Sequence, residues 1–75
     1  MATAFVLINA EIGAEAEVLG DLRPIPEVRE AHLVYGVYDI IAVVDTTTMQ
    51  ELKDAISFKI RRLDKVHSTL TMIVV

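Results

Sequence analysis

The stretch Thr3–Ala10 constrains this fold more than any other part of the chain. It is dense in β-branched and aromatic residues and reads as a strand. Side chains alternate between the two faces of a strand, yet both sets are apolar: Phe5 and Leu7 on one, Val6 and Ile8 on the other. A strand apolar on both faces is a strand buried on both faces. The chain has 75 residues, enough for one domain spanning 1–75. A core of that size is marginal by itself. There is no cysteine to staple it, which excludes disulfides and thiolate metal sites. Self-association is the remaining source of stability, and a hydrophobic content of 53% agrees with it.

The net charge of −4 speaks against direct nucleic-acid binding, which needs clustered Lys and Arg. Arg61 and Arg62, with Lys59 and Lys65 nearby, read as the last turn of a helix, where cations complement the dipole. The opening segment lacks a basic n-region, and its apolar run is too short to span a bilayer. The expectation is a soluble cytoplasmic protein without membrane contact.

Beyond Gly13 the apolar period changes. Ala14, Val18 and Leu22 recur every four residues, with Leu19 beside them and Glu15, Glu17 and Asp21 facing away. That pattern predicts an amphipathic helix, with acids in its first turn and Pro24 and Pro26 ending it. Val28–Tyr35 and Asp39–Asp45 predict two strands separated only by Gly36 to Tyr38, hence a hairpin. Thr48 and Glu51 have capping-box spacing. Met49, Leu52, Ile56, Ile60 and Leu63 then carry the second helix, and His67–Val75 is the last strand. The order βαββαβ predicts an α+β, ferredoxin-like unit: a four-stranded antiparallel sheet with both helices on one face.

Helices cover one side of such a sheet. Ala4, Val6, Ile8, Leu70, Met72 and Val74 suit the helix side. The opposite face is then expected to carry Thr3, Phe5, Leu7, Asn9, His32, Val34, Ile41, Val43, Thr69, Thr71 and Ile73. It is too apolar for water, and a second sheet would bury it. A two-fold dimer with Phe5, Leu7, Val34, Ile41, Val43 and Ile73 at its interface is the expectation.

Tyr35-Gly36-Val37-Tyr38-Asp39 is the most informative candidate site. Gly36 permits positive φ and lets backbone amides approach a ligand. Asp39 supplies a carboxylate, and Tyr35 and Tyr38 offer apolar rings with polar tips. The set could hold an amino acid, ammonium at Asp39 and carboxylate at backbone N–H groups. The same residues also suit an ordinary turn. Ser68, Thr69 and Thr71 could orient a ligand at an interface, although strands favour Thr anyway. His32 and His67 have no neighbours at metal-ligand or catalytic spacing. No catalytic residue, metal site or cofactor is expected.

Taken in order, these segments resemble the RAM domain, the effector-binding module of the leucine-responsive regulatory protein/AsnC (Lrp/AsnC) transcriptional regulators. The resemblance covers the whole chain. It rests on the TAFVLI strand, the Pro-containing turn before Glu27-Val28, the YGVYD hairpin, the DTTTMQEL helix entry and the closing VHSTLTMIV. Its more specific parts are Gly36-x-x-Asp39 and Thr69-x-Thr71. Full-length members carry an N-terminal helix-turn-helix domain. This chain starts at the first RAM strand and is similar to stand-alone members. The resemblance implies sheet-to-sheet dimers that assemble into rings. It also implies amino-acid effectors bound at subunit interfaces by Tyr35, Gly36, Tyr38 and Asp39, with Ser68, Thr69 and Thr71. Full-length Lrp/AsnC regulators are the implied protein partners. Two alternatives stay open: a small dimeric-barrel enzyme using His32 or His67, and a ligand-free structural ring-former.

Overall fold

The computed structural model describes Met1–Val75. Strand β1 is Ala2–Ala10, helix α1 is Glu15–Leu22, strand β2 is Val28–Leu33 and strand β3 is Ile40–Thr46. Helix α2 is Met49–Ala55, continuing as a π-helical turn over Ile56–Ile60, and strand β4 is Val66–Ile73. The sheet order is β2-β3-β1-β4, with every pair antiparallel. This is the expected ferredoxin-like arrangement.

The core lies between the helices and one sheet face. Ala4, Val6 and Ile8 of β1, Ile40, Ala42 and Val44 of β3, and Ala31 of β2 meet Val18 and Leu22 of α1, Leu52 of α2, and Ile56 and Ile60 of the π-helical turn. Thr48 caps α2 with extended backbone, its Oγ1 accepting from the Glu51 N–H at 3.2 Å. The box closes through side chains, since the same hydroxyl donates to Glu51 Oε1 at 3.1 Å. After Ala55 the helix widens, and the Arg61 N–H reaches back to the Ile56 carbonyl at 2.9 Å. Spacings of three and four did not anticipate that turn, because Ile56 and Ile60 face the core in either helix type.

Three expectations need correction. The connection between β2 and β3 is longer than Gly36–Tyr38: pairing ends at Leu33 and Ile40, and Val34–Asp39 form the loop. Val34 therefore sits at the loop entrance. The last strand also runs Val66–Ile73 instead of starting at His67. The third correction concerns the faces of β4. Ala10 pairs with Val66 but Asn9 pairs with Ser68, so His67 is an extra residue in a bulge. One inserted residue reverses the face of every side chain beyond it. Leu70 and Met72 thus lie opposite Leu7 and Phe5 on the open face, while Thr69, Thr71 and Ile73 lie opposite Ile8, Val6 and Ala4 on the helix side. Ile73, expected on the open face, is not there; Leu70 and Met72 are.

Candidate functional site

The loop Val34–Asp39 is pinned at both ends. The Val34 N–H donates to the Asp39 carbonyl at 2.8 Å, and the Asp39 N–H donates to the Ile8 carbonyl at 3.0 Å. Asp39 Oδ2 accepts from the Ala10 N–H at 3.1 Å. The carboxylate therefore ties the loop to the end of β1, beyond the expected turn. Gly36 has φ +152°, a conformation side chains rarely adopt, with nothing within 4 Å of where a Cβ would be.

This anchoring opens a pocket of about 300 Å³ between the loop and the start of α1. Its lining is Glu15, Leu33, Val34, Tyr35 and Asp39. Leu33 and Tyr35 are exposed and form an apolar wall. Glu15 and Asp39 supply two carboxylates, and no Lys or Arg lines the space. Such a pocket can hold an ammonium against acids while a small apolar chain rests on Leu33, Val34 and the Tyr35 ring. Glu15 and Leu33 were missed by sequence reasoning. Glu15 reads as an ordinary first-turn acid, and only the tertiary fold turns it toward the loop.

The expected site residues do not all come together. Tyr35 and Asp39 line the pocket, and Gly36 and Tyr38 belong to its loop. Ser68, Thr69 and Thr71 lie on β4, which is separated from β3 by β1. Across two strand spacings that is about 10 Å. Asn9 Nδ2 donates to Ser68 Oγ at 3.5 Å on the open face, while Thr69 and Thr71 face the helix side.

The open face has an apolar centre and a polar corner. Phe5, Leu7 and Ile41 are half-buried and Leu70 and Met72 exposed, whereas Val43 is buried although it stands outside the core. At the corner, Thr3 Oγ1 donates to Asp45 Oδ1 at 2.6 Å, and Arg29 Nη1 lies 2.9 Å from Asp45 Oδ2. His32 Nε2 lies 2.9 Å from Glu30 Oε1, and this hydrogen bond lowers the Glu30 pKa below its ordinary value.

Comparison with known proteins decides the family. The family model described as the Lrp/AsnC ligand binding domain matches residues 3–75. The chain belongs to the Lrp/AsnC ligand-binding domain family. An uncharacterized HTH-type transcriptional regulator of Pyrococcus abyssi is 36% identical over 70 residues, covering 93% of this chain and 44% of that protein. The chain thus spans about half the length of the curated relatives it matches. The crystal structure of FFRP-DM1 superposes with a TM-score of 0.96 at 44% identity, with both chains covered in full. A feast or famine regulatory protein from M. tuberculosis, complexed with L-methionine, shares the fold at a TM-score of 0.82 and 24% identity, covering 100% of this chain and 50% of that one.

In this Lrp/AsnC domain the two histidines stand on β2 and β4, the opposite edges of the sheet. Glu30 is within hydrogen-bond reach of His32, but both side chains are about half exposed on the open face. His67 occupies the β4 bulge beside Ala10, Glu11 and Ile12, across the sheet from that pair. No helix is long and apolar enough to cross a membrane.

Proposed function

We propose that this chain is an amino-acid-sensing and oligomerisation module. It binds a small amino acid at the Val34–Asp39 loop and associates with further copies through the open face of its sheet. One observation carries the reading: a pocket of about 300 Å³ lined by two carboxylates, Glu15 and Asp39, and an apolar wall, in a domain of a ligand-binding family. That volume lies at the small end of ligand pockets. The relative bound to L-methionine supports an amino acid as the ligand class. The ammonium sits at Asp39 and Glu15, and the side chain rests on Leu33, Val34 and Tyr35. Gly36 leaves the loop backbone open to the ligand carboxylate, and Tyr38 belongs to the same loop. Ser68, Thr69 and Thr71 join such a site only from a second copy, because within one chain they lie across β1 from the loop.

Phe5, Leu7, Val34, Ile41 and Val43, with Leu70 and Met72 in place of Ile73, form the self-association surface. Relatives named HTH-type transcriptional regulators suggest what the module serves. Effector binding here would bias the assembly of such regulators, its protein partners, and the domain itself performs no catalysis.

A thermal-shift screen of the common amino acids tests this reading. A ligand that binds only the folded state adds about 2.7 kcal/mol at a hundredfold excess over Kd. At least one amino acid is expected to raise the melting temperature in a dose-dependent way. Flat melts throughout, with no heat in calorimetric titration, would leave the ligand-free ring-former as the better account.

A further inference from the structure

We propose that the pocket at the Val34–Asp39 loop selects a ligand with two cationic groups joined by an apolar chain, a basic amino acid such as lysine or ornithine, over a neutral one. The proposal rests on the amino-acid-sensing reading. It adds the ligand class and the residue that selects it, Glu15.

Four carboxylates of the chain are half-buried: Glu15, Glu27, Asp39 and Asp45. A carboxylate drawn out of water is stabilised by a cation beside it, and two of the four have one. Glu27 meets Lys59 Nζ at 2.9 Å, and Asp45 meets Arg29 Nη1 at 2.9 Å. The other two are the acids of the pocket. The ion pairs of the chain engage Glu11, Glu27, Glu30 and Asp45, and neither pocket acid is among them. Asp39 accepts from the Ala10 N–H through Oδ2 alone. The chain thus supplies cations to its half-buried acids elsewhere and leaves two negative charges on one cavity of about 300 Å³.

A neutral amino acid does not balance that charge. Its ammonium meets one acid, and the other is left near a ligand carboxylate of the same sign, which repels it. A basic amino acid brings a second cation and neutralises both. The remaining walls suit such a molecule. The N–H groups of Tyr35, Gly36, Val37 and Tyr38 make no backbone hydrogen bond, so they are free to hold the ligand carboxylate at the loop. Asp39 ends the same loop, and the α-ammonium goes there. Glu15 stands in the first turn of α1, across the pocket from the loop, and receives the side-chain cation. Leu33 and Val34 cover the methylenes, as apolar surface does for long cationic side chains. A bare metal ion fits less well. Calcium takes about six to eight oxygen ligands, and no group of three or more His, Cys, Asp or Glu stands ready to supply them.

The test is calorimetric titration of the full chain with L-lysine, L-ornithine, L-norleucine and cadaverine, for the parent, Glu15→Gln and Glu17→Gln. Norleucine is lysine without the side-chain ammonium, and cadaverine is lysine without the carboxylate. Glu17 is exposed and outside the pocket lining, so its variant removes the same charge from the protein without touching the site. Lysine and ornithine are expected to bind the parent about tenfold more tightly than norleucine, the lower end of what a hydrogen bond to a charged group gives. Glu15→Gln is expected to erase that preference while norleucine binding is retained, and Glu17→Gln to keep it. Equal affinity for lysine and norleucine, or a preference that Glu15→Gln leaves intact, overturns the proposal while the amino-acid reading stands. Cadaverine is expected to bind more weakly than lysine; binding as tight would support the two-cation pocket and refute the amino-acid reading. No heat with any of the four overturns both.

Discussion

Asp39 has two tasks, and they can be separated. Its carboxylate accepts from the Ala10 N–H, and in the proposed site it also meets the ligand ammonium. Asp39→Ala leaves a part-buried N–H unpaired, which costs about 1–3 kcal/mol of stability in urea denaturation. Asp39→Asn keeps an acceptor without the charge. It should melt near the parent yet bind the amino acid about 1.5–3 kcal/mol more weakly by calorimetry, the range for a hydrogen bond to a charged group. Equal affinity for parent and Asp39→Asn would move the ligand elsewhere. Gly36→Ala acts through the backbone alone, because nothing crowds the position. Holding alanine at that φ costs about 1–3 kcal/mol, and a urea titration with unchanged slope reads it. Gly36 and Asp39 were legible in the sequence because turn chemistry is local. The Ala10 partner and the Glu15 wall were not, since each depends on a contact made only in the folded chain.

Among the elements, the two bulges and the π turn mark where pattern reading stops. Alternation identified β1 and β3 and their faces, since neither contains an insertion opposite the other. It failed for β4 because one extra residue, His67, reverses everything after it. Sequence spacing carries no record of which residue will be left unpaired. The π turn places Lys59 where Nζ meets both oxygens of Glu27, each at 2.9 Å, joining α2's extension to the entry of β2. This hydrogen bond to Lys59, with a further backbone bond, holds the Glu27 pKa below its ordinary value. A carboxyl depressed in the folded state stabilises above its unfolded pKa, and that contribution fades as pH falls through the folded value. Acid should therefore destabilise the parent more than Lys59→Met between neutral pH and the range below the usual glutamate pKa. Urea midpoints across that range measure it. Parallel curves for the two proteins would show that the pair contributes no pH dependence.

For the whole molecule, the double-sided apolarity of β1 was the most useful sequence feature. One of its faces is fully covered by the helices, and the other, with Phe5 and Leu7, is only half covered by the chain itself. Leu7→Glu places a charge at the centre of the proposed contact, where burial without a partner is strongly unfavourable. It should shift the chain toward monomer in sedimentation, with folded circular dichroism retained. A parent already monomeric at micromolar concentration would remove the need for that contact.

The central claim concerns where a small amino acid binds. It is tested most directly by a nuclear magnetic resonance titration of the labelled chain with L-methionine, and with any stronger ligand from the thermal screen. The account predicts saturable shifts concentrated at Leu33–Asp39, Glu15 and Ala10, with the outer faces of α1 and α2 silent. Saturable shifts confined to the helix surfaces or the Arg29–His32 corner, with the loop unmoved, would contradict it.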